Sequence, residues 1–120
     1  MTTKNYGLEE RTFRFAKLVR SFLKKVPRTI GNVEALKQLA RSSASVGANF
    51  IEAIESISKK DKIYRMKICR KEAKESKYWL RLIDVQSNSD LLRERESLIQ
   101  EAKELTHIFG SIISKNEHKK

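Results

Sequence analysis

The chain has 120 residues, the size of one domain, and carries 26 Lys and Arg against 15 Asp and Glu, a formal net charge of +11. Its single cysteine, Cys69, excludes an internal disulfide and points to a reducing, cytoplasmic setting. No apolar run is long enough for a signal sequence or a membrane span, and Glu9 and Glu10 argue against a transit peptide, so no membrane is expected.

Residues before Leu8 read as a short polar arm. A first helix is expected over about 8–26, with Leu8, Phe15, Leu18, Val19, Phe22 and Val26 as its apolar stripe. Pro27, the only proline, ends it, and residues 28–32 make the turn.

A second helix is expected over about 33–57, with Asn32 as N-cap and Glu34 near its start. Its core side reads Leu36, Leu39, Ala40, Ser43, Val46, Gly47, Phe50, Ile54 and Ile57. The stretch from Arg41 to Ala53 is crowded with Ser, Ala and Gly and nearly free of charge, which is unusual in so basic a chain. Gly47 costs a helix interior about 1 kcal/mol against Ala, and close approach of a neighbouring helix is the expected compensation. Opposite the core, Gln38, Arg41, Ser45, Asn49, Glu52 and Ser56 form a polar stripe. It reads either as a solvated face or as a subunit interface in which Arg41, Asn49 and Glu52 satisfy one another or backbone groups.

Ser58 is expected to cap a third helix over about 59–84, with Asp61 suited to its N-terminal dipole. Met66, Cys69, Ala73, Ser76, Leu80 and Ile83 form its core side. Lys60, Lys67, Lys71, Lys74, Tyr78 and Arg81 form a basic ladder roughly opposite. Ile68, Trp79 and Leu82 make a partial third face beside Glu72 and Glu75, a pattern that suits either a core edge or self-association. Ser89 or Asp90 is expected to cap a fourth helix over about 90–114, with Leu91, Leu98, Ala102, Leu105, Phe109 and Ile112 inward. The tail 115–120 is expected to fray. Four helices with short connections in a single 1–120 domain predict an all-α, antiparallel up-and-down four-helix bundle.

Charge is unevenly divided. Residues 1–32 carry eight basic and two acidic groups, 33–57 two and three, 58–84 ten and four, and 85–120 six and six. The surplus therefore belongs to the first and third helices, which lie diagonally in such a bundle. Arg14, Lys17, Arg20 and Lys24 of the first, with Lys67, Lys71, Lys74 and Arg81 of the third, are the candidate nucleic-acid-binding residues. Cations of this kind suit a phosphate backbone and read no sequence. Tyr78 is a lone candidate for base stacking.

Catalytic readings are weaker. Glu104-Leu-Thr-His107 has the Glu-x-x-His spacing of di-iron bundles, but it occurs once and lies opposite the core stripe, so no metal and no cofactor are expected. Cys69 sits on the core stripe and reads as an inert buried thiol. Glu72 and Glu75 lie beside Lys71 and Lys74 and read as charge partners. A Gly-rich phosphate loop does not occur. The residues carry no catalytic constellation, and the expectation is a protein that is not an enzyme.

Several segments together carry a resemblance. They are Arg11-Thr12 with Phe15-Ala16, Pro27-Arg28-Thr29, Gln38-Leu39 with Arg41-Ser42-Ser43, and Ser45-Val46-Gly47-Ala48-Asn49 with Ile51-Glu52-Ala53. Ser58-Lys59-Lys60-Asp61 follows, then Ile68 to Ser76 and Tyr78-Trp79-Leu80. From about Arg11 to Leu82 the chain resembles the four-helix-bundle proteins named after the intervening sequences of bacterial 23S rRNA genes. The resemblance implies an antiparallel four-helix bundle, a homopentamer and a bacterial cytoplasmic origin, and it brings no catalytic residues. The chain is also similar to the accessory variability determinant of diversity-generating retroelements, a basic pentameric bundle that associates with nucleic acid and a reverse transcriptase. The expected oligomer interface is Arg41, Ser45, Asn49, Glu52, Glu75 and Trp79. The functional expectation is non-enzymatic binding of RNA or DNA. The alternative is a structural adaptor that docks a protein partner such as a reverse transcriptase.

Overall fold

Apolar residues spaced three and four apart on four successive segments are buried together when four helices face one axis. In the computed structural model, which describes residues 3–118, they do so as α1 (Thr3–Leu23), α2 (Ile30–Ile54), α3 (Lys59–Leu82) and α4 (Ser89–His118). Each helix packs on its neighbour in sequence, and α1 closes against α4, whereas the backbones of the diagonal pairs, α1 with α3 and α2 with α4, stay apart and meet only through core side chains such as Phe50 and Phe109. The short connections 24–29, 55–58 and 83–88 make the bundle antiparallel and up-and-down. No strand occurs among the described residues.

The centre holds Phe15, Val19 and Phe22 of α1, Leu39, Val46 and Phe50 of α2, Cys69, Ala73 and Leu80 of α3, and Leu98, Leu105 and Phe109 of α4, all buried. The Phe50 and Phe109 rings meet at 5.9 Å in a tilted pair across the core. Three residues assigned to the core by periodicity are not in it. Leu18 and Ala40 sit at the edges of their stripes and are exposed, and Ile57 lies beyond the end of α2, fully in solvent. On α4 the stripe drifts by one position at its end, so Ile113 is buried where Ile112 is only half-buried.

Helix ends also differ from the expected ones, each for a local reason. The expected arm before Leu8 is helical from Thr3. At the other end α1 stops at Leu23, because a proline at 27 disfavours helical backbone in the residue before it and the chain must turn. Lys24 consequently lies in the turn after α1. The N-cap position of α2 is Thr29, with extended backbone, and not Asn32. Ser58 does cap α3, accepting from the Asp61 N–H at 3.0 Å. Ile83 ends α3 by adopting extended backbone. Asn88, not Ser89 or Asp90, caps α4, its Oδ1 accepting from the Leu91 N–H at 3.0 Å. That helix runs through 115–118, where fraying was expected, and the final two residues of the expected tail lie outside the described residues.

Asn32, displaced from the cap, has a different task. It is buried, its Nδ2 donates to Pro27 O at 3.0 Å and Asp84 O at 2.9 Å, and its Oδ1 accepts from the Asp84 N–H at 2.9 Å. One side chain thus ties the α1–α2 turn to the end of α3.

The approach of α1 to α2 is closest at Gly47. A Cβ there would stand 3.1 Å from Thr12 Oγ1 and 3.4 Å from Thr12 Cβ. Thr12 is itself buried and fixed by donation to Leu8 O at 2.9 Å. Gly47→Ala should therefore gain less than the about 1 kcal/mol of helix propensity it would bring at an open site. In a Thr12→Ala background the same change should gain more, with a coupling of about 0.5–1 kcal/mol in a double-mutant cycle read by urea unfolding. Additive effects would show that the contact does not explain the glycine.

Candidate nucleic-acid interface

The cations of α1 divide by partner. Arg11 turns toward α4, its Nε 2.7 Å from Glu101 Oε2 and its Nη2 2.9 Å from Glu101 Oε1 and 2.7 Å from Glu104 Oε1. The hydrogen bonds to Glu101 hold the Arg11 guanidinium above its usual range. Glu104 is held below the usual carboxylate range, first by the hydrogen bond from Gln100 and then by Arg11. Lys25 makes a second link across the same seam, to Glu94 at 2.9 Å. Arg14 lines the same α1–α4 groove without reaching a carboxylate, and Arg14, Lys17, Arg20 and Lys24 are all exposed. None of these four has an ion-pair partner among the described residues, and Lys17 Nζ lies 5.5 Å from the centroid of the exposed Phe13 ring.

On α3, Lys67, Lys71, Lys74 and Arg81 are likewise exposed. Lys67 reaches Glu117 at 3.0 Å and Lys71 stands 3.8 Å from Glu72, so these two share their charge with carboxylates. Lys74 and Arg81 have no such partner among the described residues. The eight candidates therefore form two strips at opposite corners of the bundle, since the backbones of α1 and α3 stay apart. Tyr64, which the periodicity argument passed over, lies on the α3 strip with Tyr78; the two rings are 61% and 55% exposed. The signal was available in the spacing, because fourteen residues are close to four helical turns.

The residues expected at an oligomer interface mostly find partners within the chain. Arg41 does not meet Asn49 or Glu52; its Nη2 lies 3.2 Å from Glu72 Oε1 and 3.3 Å from Glu75 Oε1. Asn49 donates to Ser45 O and Ser45 Oγ, both at 2.9 Å, and accepts from Arg65 Nη1 at 3.1 Å. Behind them Ser42 Oγ and Ser76 Oγ are 2.8 Å apart and buried. These contacts form a polar seam between α2 and α3. Trp79 is half-buried against the core and meets the Tyr78 ring edge-on at 4.9 Å. Glu52 remains exposed.

Glu72 is the unusual member, because its side chain is only 7% exposed. Its Oε1 contact with Arg41 is electrostatic, without hydrogen-bond geometry, and no other donor reaches that oxygen among the described residues. Elsewhere, Glu104 and His107 both lie on the exposed side of α4, with Glu104 engaged by Arg11. Burial pushes the Cys69 thiol up to about 12, which keeps it protonated and a poor nucleophile. No helix among the described residues is long and apolar enough to cross a membrane.

Comparison with known proteins agrees with this architecture. The family described as 23S rRNA-intervening sequence protein matches over residues 4–111, and the chain belongs to it. Among solved structures it is similar to the crystal structure of a protein with unknown function from the S23 ribosomal protein family of Bacteroides thetaiotaomicron. The TM-score is 0.75 and the identity 29%, over 88% of this chain and 96% of that one. No curated protein matches the chain.

Removing one partner of a buried charge is more damaging than removing an exposed pair. Arg41→Ala should therefore destabilise the bundle by about 2 kcal/mol, clearly more than Glu75→Ala, and Glu72→Gln should recover part of that loss in the Arg41→Ala background. Urea unfolding of the three variants checks this. Equal effects at Arg41 and Glu75 would mean that Glu72 does not depend on the guanidinium.

Proposed function

We propose that this member of the 23S rRNA-intervening sequence protein family is a non-enzymatic, oligomeric protein that binds RNA or DNA through the phosphate backbone, without reading sequence. The observation that supports this most directly is the segregation of its cations. Arg11 and Lys25 are neutralised by carboxylates of α4, whereas Arg14, Arg20, Lys24, Lys74 and Arg81 stand exposed, without ion partners among the described residues. Unpaired cations along a helix are suited to phosphates spaced along a strand. Contacts of that kind position a ligand without discriminating bases.

Self-association is part of the same proposal, with the homopentamer implied by the resemblance as its form. Its support is the outward face of α2, where Ala40, Ala44, Ala48 and Ile51 are exposed, close to Phe13 across a shared groove. Copies carrying +11 each repel, and contact over α2, whose segment 33–57 holds only two basic and three acidic groups, keeps the basic helices out of the contact. Flanked by α1 and α3, an α2-centred contact would also bring the basic strips of two copies side by side.

Binding should weaken steeply with salt, with a log–log slope of about −0.7 to −0.9 per phosphate engaged, and Lys74→Glu with Arg81→Glu should reduce both affinity and slope. Salt-independent binding, or none to either RNA or DNA, would sink the reading; a protein partner retained after nuclease treatment would favour the adaptor instead. For assembly, light scattering should give five times the 14.0 kDa chain mass, and Ala48→Glu should release protomers with helix content intact. Position 48 is the cleaner probe, because changes at Arg41 or Asn49 disturb the α2–α3 seam as well. An unchanged mass in Ala48→Glu would remove α2 as the assembly face.

A further inference from the structure

Aromatic rings and charge share the same two edges of this molecule. Among the described residues, the exposed large aromatics are Phe13 on α1 and Tyr64 and Tyr78 on α3, the two basic helices. Neither α2 nor α4 exposes one. Solubility alone explains exposed lysines but gives no reason to intersperse them with rings. A ring left in water among cations is suited to a ligand with both charge and flat apolar faces.

From this placement we propose that the α3 strip is a track for single-stranded nucleic acid, with Tyr64 and Tyr78 as stacking platforms at its two ends. The inference rests on the nucleic-acid reading and narrows it to one ligand class. Fourteen residues at 1.5 Å each separate the tyrosines by about 21 Å on one face, and the exposed Lys67, Lys71 and Lys74 lie between them. Each ring has a neighbour on its own helix. The Arg65 guanidinium lies 5.8 Å from the Tyr64 centroid, and Trp79 meets Tyr78 edge-on. A ring with such a neighbour loses less freedom when a base stacks on it. In a duplex the bases are already stacked on one another and offer no face to such a ring, so the tyrosines add affinity only for unpaired strands. Cations between aromatic platforms are the usual composition of surfaces that follow single strands without sequence preference.

The test measures binding of labelled oligouridine, oligothymidine and RNA and DNA duplexes of matched length to the intact protein. The comparison set is wild type, Tyr64→Ala, Tyr78→Ala, the double alanine variant and the Tyr→Phe versions. Each alanine change should weaken single-strand binding about 5- to 100-fold, leave duplex binding and the salt slope unchanged, and be rescued by Phe, which keeps the ring. The RNA and DNA arms show which strand type is preferred. Both side chains are exposed, so unfolding does not obscure the result. If wild type binds single strands and duplexes equally and the alanine variants match it, the stacking track is wrong while the broader reading stands. If wild type binds no nucleic acid, both fall. Binding to anionic vesicles in place of nucleic acid, or an alanine variant that changes the oligomer mass instead of the affinity, would reassign the rings to a membrane or to a subunit contact and overturn the proposal.

Discussion

The close contact between Gly47 and Thr12 sets the position of α1, and much of the surface follows from it. With no Cβ at 47, α1 settles against α2 so that Thr12 is buried and its hydroxyl is satisfied by its own helix. Once Thr12 faces α2, the 100° step between residues turns Arg11 toward the carboxylates of α4. The same rotation leaves Arg14, Lys17 and Arg20 exposed, without carboxylate partners among the described residues. A helix rolled by one position would exchange these roles, neutralising the outward cations and exposing Arg11. Which charges are free is therefore a packing outcome, set by the buried stripe of α1 with Thr12 seated against Gly47.

The seam between α2 and α3 follows a different logic. Its inner layer is uncharged and paired through Ser42 and Ser76, while its outer layer relies on Arg41, Asn49, Arg65, Glu72 and Glu75. Polar groups in such a place add direction where apolar packing adds mainly area, because each donor has few acceptors within reach. The incomplete hydrogen bonding of Glu72 marks where that direction is weakest. The contacts also explain why Ser42, Ser45 and Asn49 can populate α2, since each finds a partner within the chain.

Periodicity carried most of the fold. Four apolar stripes, one proline and three short connections leave little besides an up-and-down bundle, and the buried residues of α3 lie where their spacing puts them, Glu72 excepted. Periodicity does not say how wide a stripe is, which is why Leu18 and Ala40 fell on the wrong side. Nor does it identify partners. Asn32 looked like a cap because Asn caps helices locally, whereas its bonds reach Asp84, a residue distant in sequence. Arg41 and Asn49 were expected opposite the core of α2, whereas packing turns both toward α3, which supplies their partners. The cation strips could be read directly from segment charges. Tyr64 is equally legible, fourteen residues from Tyr78 on the same face of α3.

The diagonal placement of α1 and α3 has an electrostatic consequence. The bundle measures 24 by 21 Å in cross-section, while mobile ions screen fields over about 8 Å at physiological ionic strength. The two strips thus barely sense each other, and occupation of one neither helps nor hinders the other. On the proposed nucleic-acid reading, each chain would then be bivalent, with edges facing away from one another. Multiplied by the proposed assembly, such an object would crosslink separate strands, or distant parts of one strand, and favour compaction over coating.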